Sequence, residues 1–507
     1  MLSRLKSKVL KPYGKYHFHR VNRDMIHCES MQEKWLMKNV RSGRATGFGK
    51  DHGLDKVTCY EDYKKAVPVR EYEALRPYIE RMLQGENSVL WPGTPKYVIG
   101  TSGTTSGIKY IPLTRESMPY HFNSARNASF HYCYKYGMMD MFDGDLLFMS
   151  GSPILGQVGN YPSGRLSGIV NHEIPAWLRR NQLPSYEINC IEEWRYKVES
   201  IAQESLSKDV RMISGIPPWM MMFLEEVLRL SGREKVADVF PQLRLIIHGG
   251  VDITPYKKRL DNLIGSNKVK WLETYPSTEG FIGFQDDENR DDLSLNANAG
   301  VFYEFIPIDQ VKSDNPDRYS IAEIELDQDY AIVLSNNAGL WCSMIGDVVR
   351  FSTRNPYRLK IVGRVSHFLS AFGEHIIGQD VDLGLKAALE KSPAEVVEYS
   401  VAPCVDPGQG IKPYHEWFIE FSRKPEDINS FRNILNKEMM RINFHYKELI
   451  EGYVIQPLKI YVVPPGGFRR FYEKSGRLGG QNKVVRVSND RMYIDSLLEA
   501  IKDMVMS

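Results

Sequence analysis

The sequence lacks any hydrophobic run near the ~20 residues that a membrane-spanning helix needs, and its N-terminus lacks the apolar segment of a signal peptide. Cysteine is scarce, with six residues spread over 507 positions and no C-x-x-C pair. This pattern is typical neither of a disulfide framework nor of a zinc site. Neither sign of charge dominates, because the sequence has 65 basic and 63 acidic residues. Such a weak field argues against a nucleic-acid binder. The scattered cysteines fit a reducing compartment, and we expect the protein in the cytoplasm.

Several common catalytic signatures are also missing. Gly151-Ser152-Pro153 does not match G-x-S-x-G, no H-E-x-x-H occurs, and the twelve histidines show no metal-binding spacing. The P-loop of nucleotide hydrolases requires four residues between its glycines, followed directly by lysine. Here three residues separate the glycines of residues 103–107, and Ile108 precedes Lys109. The chain therefore matches none of these enzyme classes.

One stretch nevertheless has the composition of an anion-binding loop. Residues 101–109 pack hydroxyls, glycines and one lysine behind a short apolar run at 97–99. Glycine lets backbone N–H groups approach an anion, and a lysine supplies positive charge suited to phosphate. We interpret this stretch as a polyphosphate-binding loop, although a plain polar surface loop has the same composition. The candidate ATP ligands in it are Ser102, Gly103, Thr104, Thr105, Ser106 and Lys109.

A chain of 507 residues is too long to fold around one hydrophobic core, so we expect two or three domains. Between about 195 and 280, apolar runs at 210–213, 243–247 and 268–272 alternate with helical segments that open at Pro217 and Thr254. Strands that alternate with helices predict a parallel α/β sheet. Ligands of such sheets bind at the carboxyl ends of the strands.

After residue 280 the pattern of apolar and polar residues changes twice. Short apolar runs at 301–306, 321–326, 330–334 and 348–351 predict a small β-barrel-like subdomain. It would complete an N-terminal domain of residues 1–363. Residues 364–507 mix helical and strand patterns and predict a smaller, mobile α+β lid domain. The fold class is therefore α/β with an added C-terminal domain.

Two polar segments carry side chains that are suited to a nucleotide. In Tyr275-Pro276-Ser277-Thr278-Glu279-Gly280, the tyrosine is suited to stacking on a base and Glu279 to holding Mg²⁺, which prefers carboxylate and phosphate oxygens. Asp347 can accept two hydrogen bonds from ribose hydroxyls. Each segment also fits an ordinary turn. Arg364, at the predicted domain junction, either contacts the nucleotide or ties the two domains together.

Taken in order, these segments resemble the motifs of the adenylate-forming enzyme superfamily. From the N-terminus they are the phosphate loop at 102–109, the adenine-lining His248-Gly249-Gly250-Val251, the Tyr-x-x-Thr-Glu motif at 275–279, the ribose-binding Gly346-Asp347, the hinge motif from Gly363-Arg364 through Gly373-Glu374, and the C-terminal lysine, Lys483. The sequence departs from the common patterns at Ser106, Tyr110 and Ser366.

Other tracts point to one branch of that superfamily. Leu90-Trp91-Pro92-Gly93, residues 367–374, residues 417–421 and Gly479-Gly480-Gln481-Asn482-Lys483 are similar to the auxin-responsive acyl-acid amido synthetase family, in its microbial form. The resemblance covers nearly the whole chain. It implies that ATP converts a carboxylic acid to an acyl-adenylate, and that an amino-acid amine then attacks to give an amide.

The resemblance also implies the residues that do this work. It implies ATP and Mg²⁺ as cofactors and a small carboxylic acid and an amino acid as substrates. No nucleic acid or membrane partner is expected, and the oligomeric state stays open, a monomer included. Implied catalytic residues are Lys483, Glu279 and Thr278; implied nucleotide contacts are Gly249, Gly250, Val251, Tyr275, Ser277, Asp347 and Arg364.

We predict the acyl pocket from the concentration of apolar residues near the strand ends. It contains Met212, Ile216, Trp219 and Phe223, although a Met- and Trp-rich helix is also typical of a core. Two other functions stay open. An acyl-CoA ligase shares the adenylation step, and a catalytically inactive nucleotide-binding protein would serve as an interaction module. The presence of both Glu279 and Lys483 argues against the inactive protein.

Overall fold

A computed structural model describes residues 6–505 except 102–108, 175–178, 252, 312, 314, 366–367, 375, 409, 475–484 and 490. The helices are α1 (Lys6–Ile26), α2 (Cys28–Gly43), α3 (Gly47–Asp51), α4 (Tyr60–Ala66), α5 (Tyr72–Leu83), α6 (Met118–Lys135), α7 (Leu166–His172), α8 (Tyr186–Asn189), α9 (Trp194–Ser205), α10 (Pro217–Ser231), α11 (Val236–Val239), α12 (Thr254–Ile264), α13 (Gly378–Lys391), α14 (Ile428–Ile442), α15 (Phe444–Glu451), α16 (Gly467–Lys474) and α17 (Met492–Val505).

The strands are β1 (Tyr97–Thr101), β2 (Lys109–Leu113), β3 (Asp145–Phe148), β4 (Gly156–Val158), β5 (Tyr161–Gly164), β6 (Gln182–Leu183), β7 (Val210–Ser214), β8 (Leu245–Gly249), β9 (Lys270–Pro276), β10 (Phe281–Phe284), β11 (Leu293–Leu295), β12 (Val301–Pro307), β13 (Asp329–Asn336), β14 (Ser343–Arg354), β15 (Tyr357–Arg364), β16 (Phe368–Leu369), β17 (Ile376–Ile377), β18 (Glu395–Cys404), β19 (Tyr414–Arg423) and β20 (Lys459–Val463). No helix in the described ranges is long and apolar enough to cross a membrane.

An eleven-stranded sheet organises the first three-quarters of the chain, in the order β12-β13-β14-β15-β11-β10-β9-β8-β7-β3-β6. Neighbours from β6 to β9 are parallel, and neighbours from β9 to β12 are antiparallel. The alternation predicted between about 195 and 280 is confirmed, since β7, β8 and β9 are parallel and are joined by α10 and α12. The predicted α/β class is thus confirmed.

The β-rich stretch at 300–362 extends this sheet instead of folding into a separate barrel. Strands β12, β13 and β14 match three predicted runs, but no pairing among the described strands joins β12 back to β6. The predicted strand at 321–326 is wrong, because residues 321–323 form a turn and none of residues 321–326 is in a strand. Ile321 and Ile324 are buried at a spacing of three, and the Glu323 carboxylate accepts the N–H and hydroxyl of Ser320. Both features stabilise a turn.

A second, four-stranded sheet has the order β2-β1-β5-β4. Antiparallel β1 and β2 place Thr101 opposite Lys109, so the predicted phosphate loop joins two strands of a hairpin and α6 begins only after β2. Ser102, Gly103, Thr104, Thr105 and Ser106 lie outside the described residues.

The C-terminal region combines a three-stranded sheet, β18-β19-β20, with α13 to α17. Its buried Val381, Trp417 and Phe431 belong to the same hydrophobic cluster as Leu147 and Ile213 of the parallel strands. The C-terminal region therefore packs against the parallel half of the large sheet.

Acid is expected to weaken the packing of α1 on α6. His17 of α1 is buried and stacks on Phe130 of α6, with ring centroids 5.8 Å apart. Burial, then Arg126 and Arg20, lowers the pKa of His17 from 6.5 to about 4. The unfolded chain takes up this proton at a higher pH than the folded chain. Stability therefore falls as pH drops from about 6.5 toward 4, by about 2 kcal/mol at pH 5.

His17→Phe keeps an aromatic ring at this position and removes the titrating group. Urea unfolding should then show a smaller loss of stability between pH 7 and pH 5 in the variant than in the parent protein. An equal loss in both would contradict the assignment.

Candidate active site

The carboxyl ends of β8 and β9 lie side by side and carry two predicted nucleotide-binding segments. Gly249 at the end of β8 pairs in parallel with Thr274 of β9. A Cβ atom on Gly249 would lie 2.2 Å from the carbonyl oxygen of Thr274, so only glycine permits this approach. Gly250 follows with φ 82°, which favours glycine, and Val251 is half-buried. This edge of the sheet is where parallel α/β folds bind ligands.

Tyr275, Asp347 and Arg364 meet next to this edge. The antiparallel register of β14 and β15 pairs Asp347 with Arg364. The Asp347 carboxylate accepts from the Tyr275 hydroxyl at 2.6 Å and from Nε of Arg364 at 2.5 Å. Gly346 precedes Asp347 within β14 and has φ 86°, which favours glycine, and its carbonyl accepts the N–H of Val365. The predicted ribose-binding residue is therefore held in place by two predicted nucleotide contacts.

Burial governs the electrostatics of this group. Burial, followed by the charge of Asp347, raises the pKa of Tyr275 well above its ordinary value, so its hydroxyl stays protonated and donates. Burial acts to lower the pKa of Arg364, but Asp347, Tyr275 and Glu279 outweigh it and the pKa is raised. A permanent cation thus stands beside a carboxylate that still has lone pairs for a ligand.

Glu279 lies close to the two cations of the site, Lys109 and Arg364. Its carboxylate accepts from the hydroxyls of Ser277 and Thr278, the latter at 2.6 Å. Burial lowers the pKa of Lys109, Glu279 opposes that shift, and Arg364 adds to it, so all three lie within electrostatic range of one another. The structure thus brings together predicted site residues from four segments of the chain, which are Lys109, residues 275–279, Asp347 and Arg364.

These groups suit a magnesium–nucleotide complex better than a metal held by protein alone. Among the described residues, no cluster of three or more His, Cys, Asp or Glu side chains could hold a metal ion. One carboxylate, Glu279, stands beside cations that favour phosphate oxygens. Mg²⁺ in such sites is held by one or two carboxylates together with substrate phosphates. The donor set therefore fits Mg²⁺ delivered with ATP.

The four predicted acyl-pocket residues do not share one surface. Met212 packs in a cluster with Leu245 and Leu272, whereas Phe223 is fully buried in a different cluster. Ile216 reaches the edge formed by the carboxyl ends of β8 and β9, which we call the nucleotide edge, since its Cγ2 lies 3.4 Å from the position of a Cβ on Gly250. Trp219 packs against the ring of Trp194, with centroids 4.3 Å apart. Met212 and Phe223 are therefore core residues.

A C-terminal tract, which we call the hinge tract (residues 368–374), contacts the same edge. The Tyr256 hydroxyl of α12 donates to the carbonyl of Ala371 at 2.7 Å. Ile216 Cδ1 lies 3.7 Å from the position of a Cβ on Gly373. Glu374 is fully buried, accepts from Phe372 N–H and contacts His415 Nε2 at 2.8 Å. No motif points to Tyr256 or His415, which lie far from the hinge tract along the chain.

Lys483 lies outside the described residues, but the segment that follows it is well anchored. The hydroxyl of Ser400 donates to the Val485 carbonyl, and backbone hydrogen bonds join Val401 to Arg486 and Ser488. The side chain of Asn489 accepts the N–H of Ser370 in the hinge tract. Residues 485–489 are thus attached both to β18 and to the hinge tract.

Comparison with known proteins places most of the chain in one family. Three family models match in order: "GH3 family N-terminal domain" at residues 17–157, "GH3 family central domain" at 295–364 and "GH3 family C-terminal domain" at 379–492. Jasmonoyl–L-amino acid synthetase JAR4 of Nicotiana attenuata is 23% identical over 524 residues, covering 89% of each chain. Indole-3-acetic acid-amido synthetase GH3.10 of Arabidopsis thaliana is 23% identical over 532 residues, covering 88% of each.

Solved structures share the fold at lower identity. The AtGH3.15 acyl acid amido synthetase, in complex with 2,4-DB, matches with a TM-score of 0.62 and 16% identity, over 97% of this chain and 96% of that one. A 2-hydroxyisobutyryl-CoA ligase in complex with 2-HIB-AMP and CoA matches with a TM-score of 0.54 and 14% identity, over 98% and 92%. Both likenesses concern the fold.

Proposed function

The chain belongs to the GH3 family, and on this premise we propose that it is an ATP-dependent acyl-acid amido synthetase. It would adenylate a carboxylic acid and transfer the acyl group to the amine of an amino acid. One observation carries this proposal. Lys109, Glu279, Tyr275, Asp347 and Arg364 come from distant segments and converge at the carboxyl edge of the parallel strands.

In the first step a carboxylate oxygen attacks the α-phosphorus of ATP, and the bond to pyrophosphate breaks. The two reactants are both anions, so cations must offset their repulsion. Lys109 and Arg364 supply positive charge in the described site, and Lys483 is proposed to stabilise the α-phosphate as charge develops. Asp347 would hold the ribose hydroxyls. When bound at Glu279, Mg²⁺ would supply further positive charge to the phosphates.

In the second step the neutral amine nitrogen attacks the acyl carbon, and the bond from that carbon to the AMP oxygen breaks. AMP leaves with the electron pair, and the amine loses a proton. We propose that residues 364–507 move against residues 1–363 between the two steps. Because all six cysteines are unpaired, we place the enzyme in a reducing compartment, the cytoplasm.

The product is expected to be an amide. The test incubates the protein with ATP and a panel of carboxylic acids, and measures pyrophosphate release and product mass with twenty amino acids or CoA as acceptor. Acid-dependent pyrophosphate release with amide formation supports the proposal. Release with a CoA thioester and no amide would reassign the protein as an acyl-CoA ligase, and no release with any acid would indicate an inactive nucleotide-binding protein.

A further inference from the structure

Two cations, the half-buried Arg165 and the buried Lys197, lie at the same sheet edge, beyond the nucleotide contacts. Arg165 precedes α7, and its side chain covers the turn that follows β3. A Cβ atom on Gly151 of that turn would lie 3.0 Å from Arg165 Cδ, and Gly151 N–H donates to the Ser167 hydroxyl at 3.0 Å. Burial lowers the pKa of Arg165 to about 10. A guanidinium that is partly stripped of water favours an anionic partner.

A second cation, Lys197 of α9, lies behind Arg165. Its side chain is 1% exposed, and its ammonium donates to the backbone carbonyls of Ser150 at 3.0 Å and Asn189 at 2.7 Å. In the described part of the chain no carboxylate lies within 4 Å of this ammonium. Burial, opposed by Cys190 and reinforced by Arg165, lowers the pKa of Lys197 to about 8. Its charge therefore has no carboxylate to offset it.

The only described carboxylate that pairs with Arg165 comes from the C-terminal region. Nη2 of Arg165 forms an ion pair with Glu448 of α15 and contacts His445 Nδ1 at 3.3 Å. The Arg165 and Glu448 side chains are 33% and 37% exposed, so solvent and small molecules can reach the pair. Any motion of the C-terminal region that displaces α15 would leave Arg165 open to another carboxylate.

The two cations are a short distance from the nucleotide edge. The N–H of Met149, which follows β3, donates to the backbone carbonyl of Ser214 in β7. The N–H of Gly215 donates to the backbone carbonyl of Ile247 in β8. The ends of β3, β7 and β8 thus lie in one row. Adjacent strands are about 4.8 Å apart, so the turn after β3 lies about 10 Å from the end of β8. This distance suits a small substrate that extends from the reacting phosphate.

We propose that Arg165, backed by Lys197, is a carboxylate-binding subsite for a substrate, and that Glu448 fills it in this structure in place of that ligand. The inference rests on the proposed function, which supplies two substrates with a carboxylate. One is the α-carboxylate of the acceptor amino acid. The other is the carboxylate of the acid to be activated.

Arg165→Gln separates the two sources. If the subsite binds the acceptor, the KM for the amino acid in amide formation rises about tenfold or more, while the KM for the acid in pyrophosphate release does not change. The variant should also lose the preference of the parent enzyme for an amino acid over its α-amide. If the subsite binds the acid, the KM for a monocarboxylic acid in pyrophosphate release rises instead. No change in either KM would overturn the proposal.

Three further variants distinguish substrate binding by Arg165 from a purely structural role of this residue. Arg165→Lys retains the charge and should recover part of the affinity. Glu448→Gln removes the internal carboxylate and should leave the affected KM equal or lower. If Arg165→Gln and Glu448→Gln raise that KM equally, the ion pair only holds the two regions together, and the proposal is overturned. Arg259→Gln, which removes another ion pair between the regions, 4.0 Å to Asp406, is the matched control and should leave both KM values unchanged.

A failure of the proposed function would look different from a failure of this inference. If the parent protein forms no amide with any acid and amino acid, the proposed function is wrong. If the parent protein forms an amide and Arg165→Gln has unchanged KM values for both substrates, only the carboxylate subsite is wrong.

Discussion

Replacing Lys483 with alanine is expected to slow acid-dependent pyrophosphate release by about 10²–10³-fold, because a cation that stabilises charge developing on the α-phosphate is lost. Attack of the amine on acyl-adenylate that has already formed develops little charge at that phosphate beyond the leaving group. Aminolysis of supplied acyl-adenylate should therefore slow far less. The two half-reactions are measured separately, by pyrophosphate release and by amide formation from synthetic acyl-adenylate.

Lys447→Ala provides the matched control for this experiment. Lys447 lies on α15 in the same C-terminal region, is 46% exposed and pairs with Glu451 at 3.7 Å. Its loss should change neither half-reaction. Equal slowing of both half-reactions by Lys483→Ala would show that the lysine is not specific to adenylation, and no slowing of either would remove it from the mechanism.

Replacing Asp347 with alanine is expected to weaken ATP binding by at least tenfold. The substitution removes two proposed ribose hydrogen bonds, and bonds to a charged group contribute about 1.5–3 kcal/mol each. It also leaves the Tyr275 hydroxyl and the Arg364 guanidinium without the carboxylate that they share. Equilibrium titration with ATP, in the absence of acid, measures the effect on the dissociation constant directly.

Asp329→Ala is the control at a comparable position of the same sheet. Asp329 on β13 forms a two-pronged ion pair with Arg350 of β14, at 2.6 and 2.9 Å, and lies away from the predicted nucleotide contacts in the sequence. It should leave the ATP dissociation constant unchanged. An unchanged constant in Asp347→Ala as well would contradict the ribose assignment.

Local pattern was enough to predict the parallel half of the sheet. Pro217 opens α10, and the apolar runs of β7, β8 and β9 alternate with helices, so strand type and order follow from neighbouring residues. For residues 300–362 the sequence predicts a barrel-like subdomain, because short apolar runs do not reveal which strands pair. Pairing between β11 and β15, which are far apart in the chain, attaches these strands to the large sheet.

Site residues with a motif could be predicted, whereas those that depend on side-chain direction could not. Tyr275 and Asp347 stand in recognisable segments, but their hydrogen bond depends on the register between β14 and β15 and on the position of β9. The prediction of Met212 in the acyl pocket rests on its apolar character, which does not show the face of the strand on which a residue lies. Arg165 and Lys197 carry no motif, and only the fold shows that they are neighbours.

Transfer of oxygen from the acid to AMP tests the central claim most directly. The protein is incubated with ATP, an amino acid and a carboxylic acid labelled with ¹⁸O in its carboxylate, and the products are weighed by mass spectrometry. Attack of the carboxylate on the α-phosphorus, followed by cleavage of the acyl carbon–oxygen bond, predicts that each AMP carries one ¹⁸O and that the amide keeps the other. Labelled inorganic phosphate with ADP, or unlabelled AMP alongside amide, would contradict an acyl-adenylate intermediate.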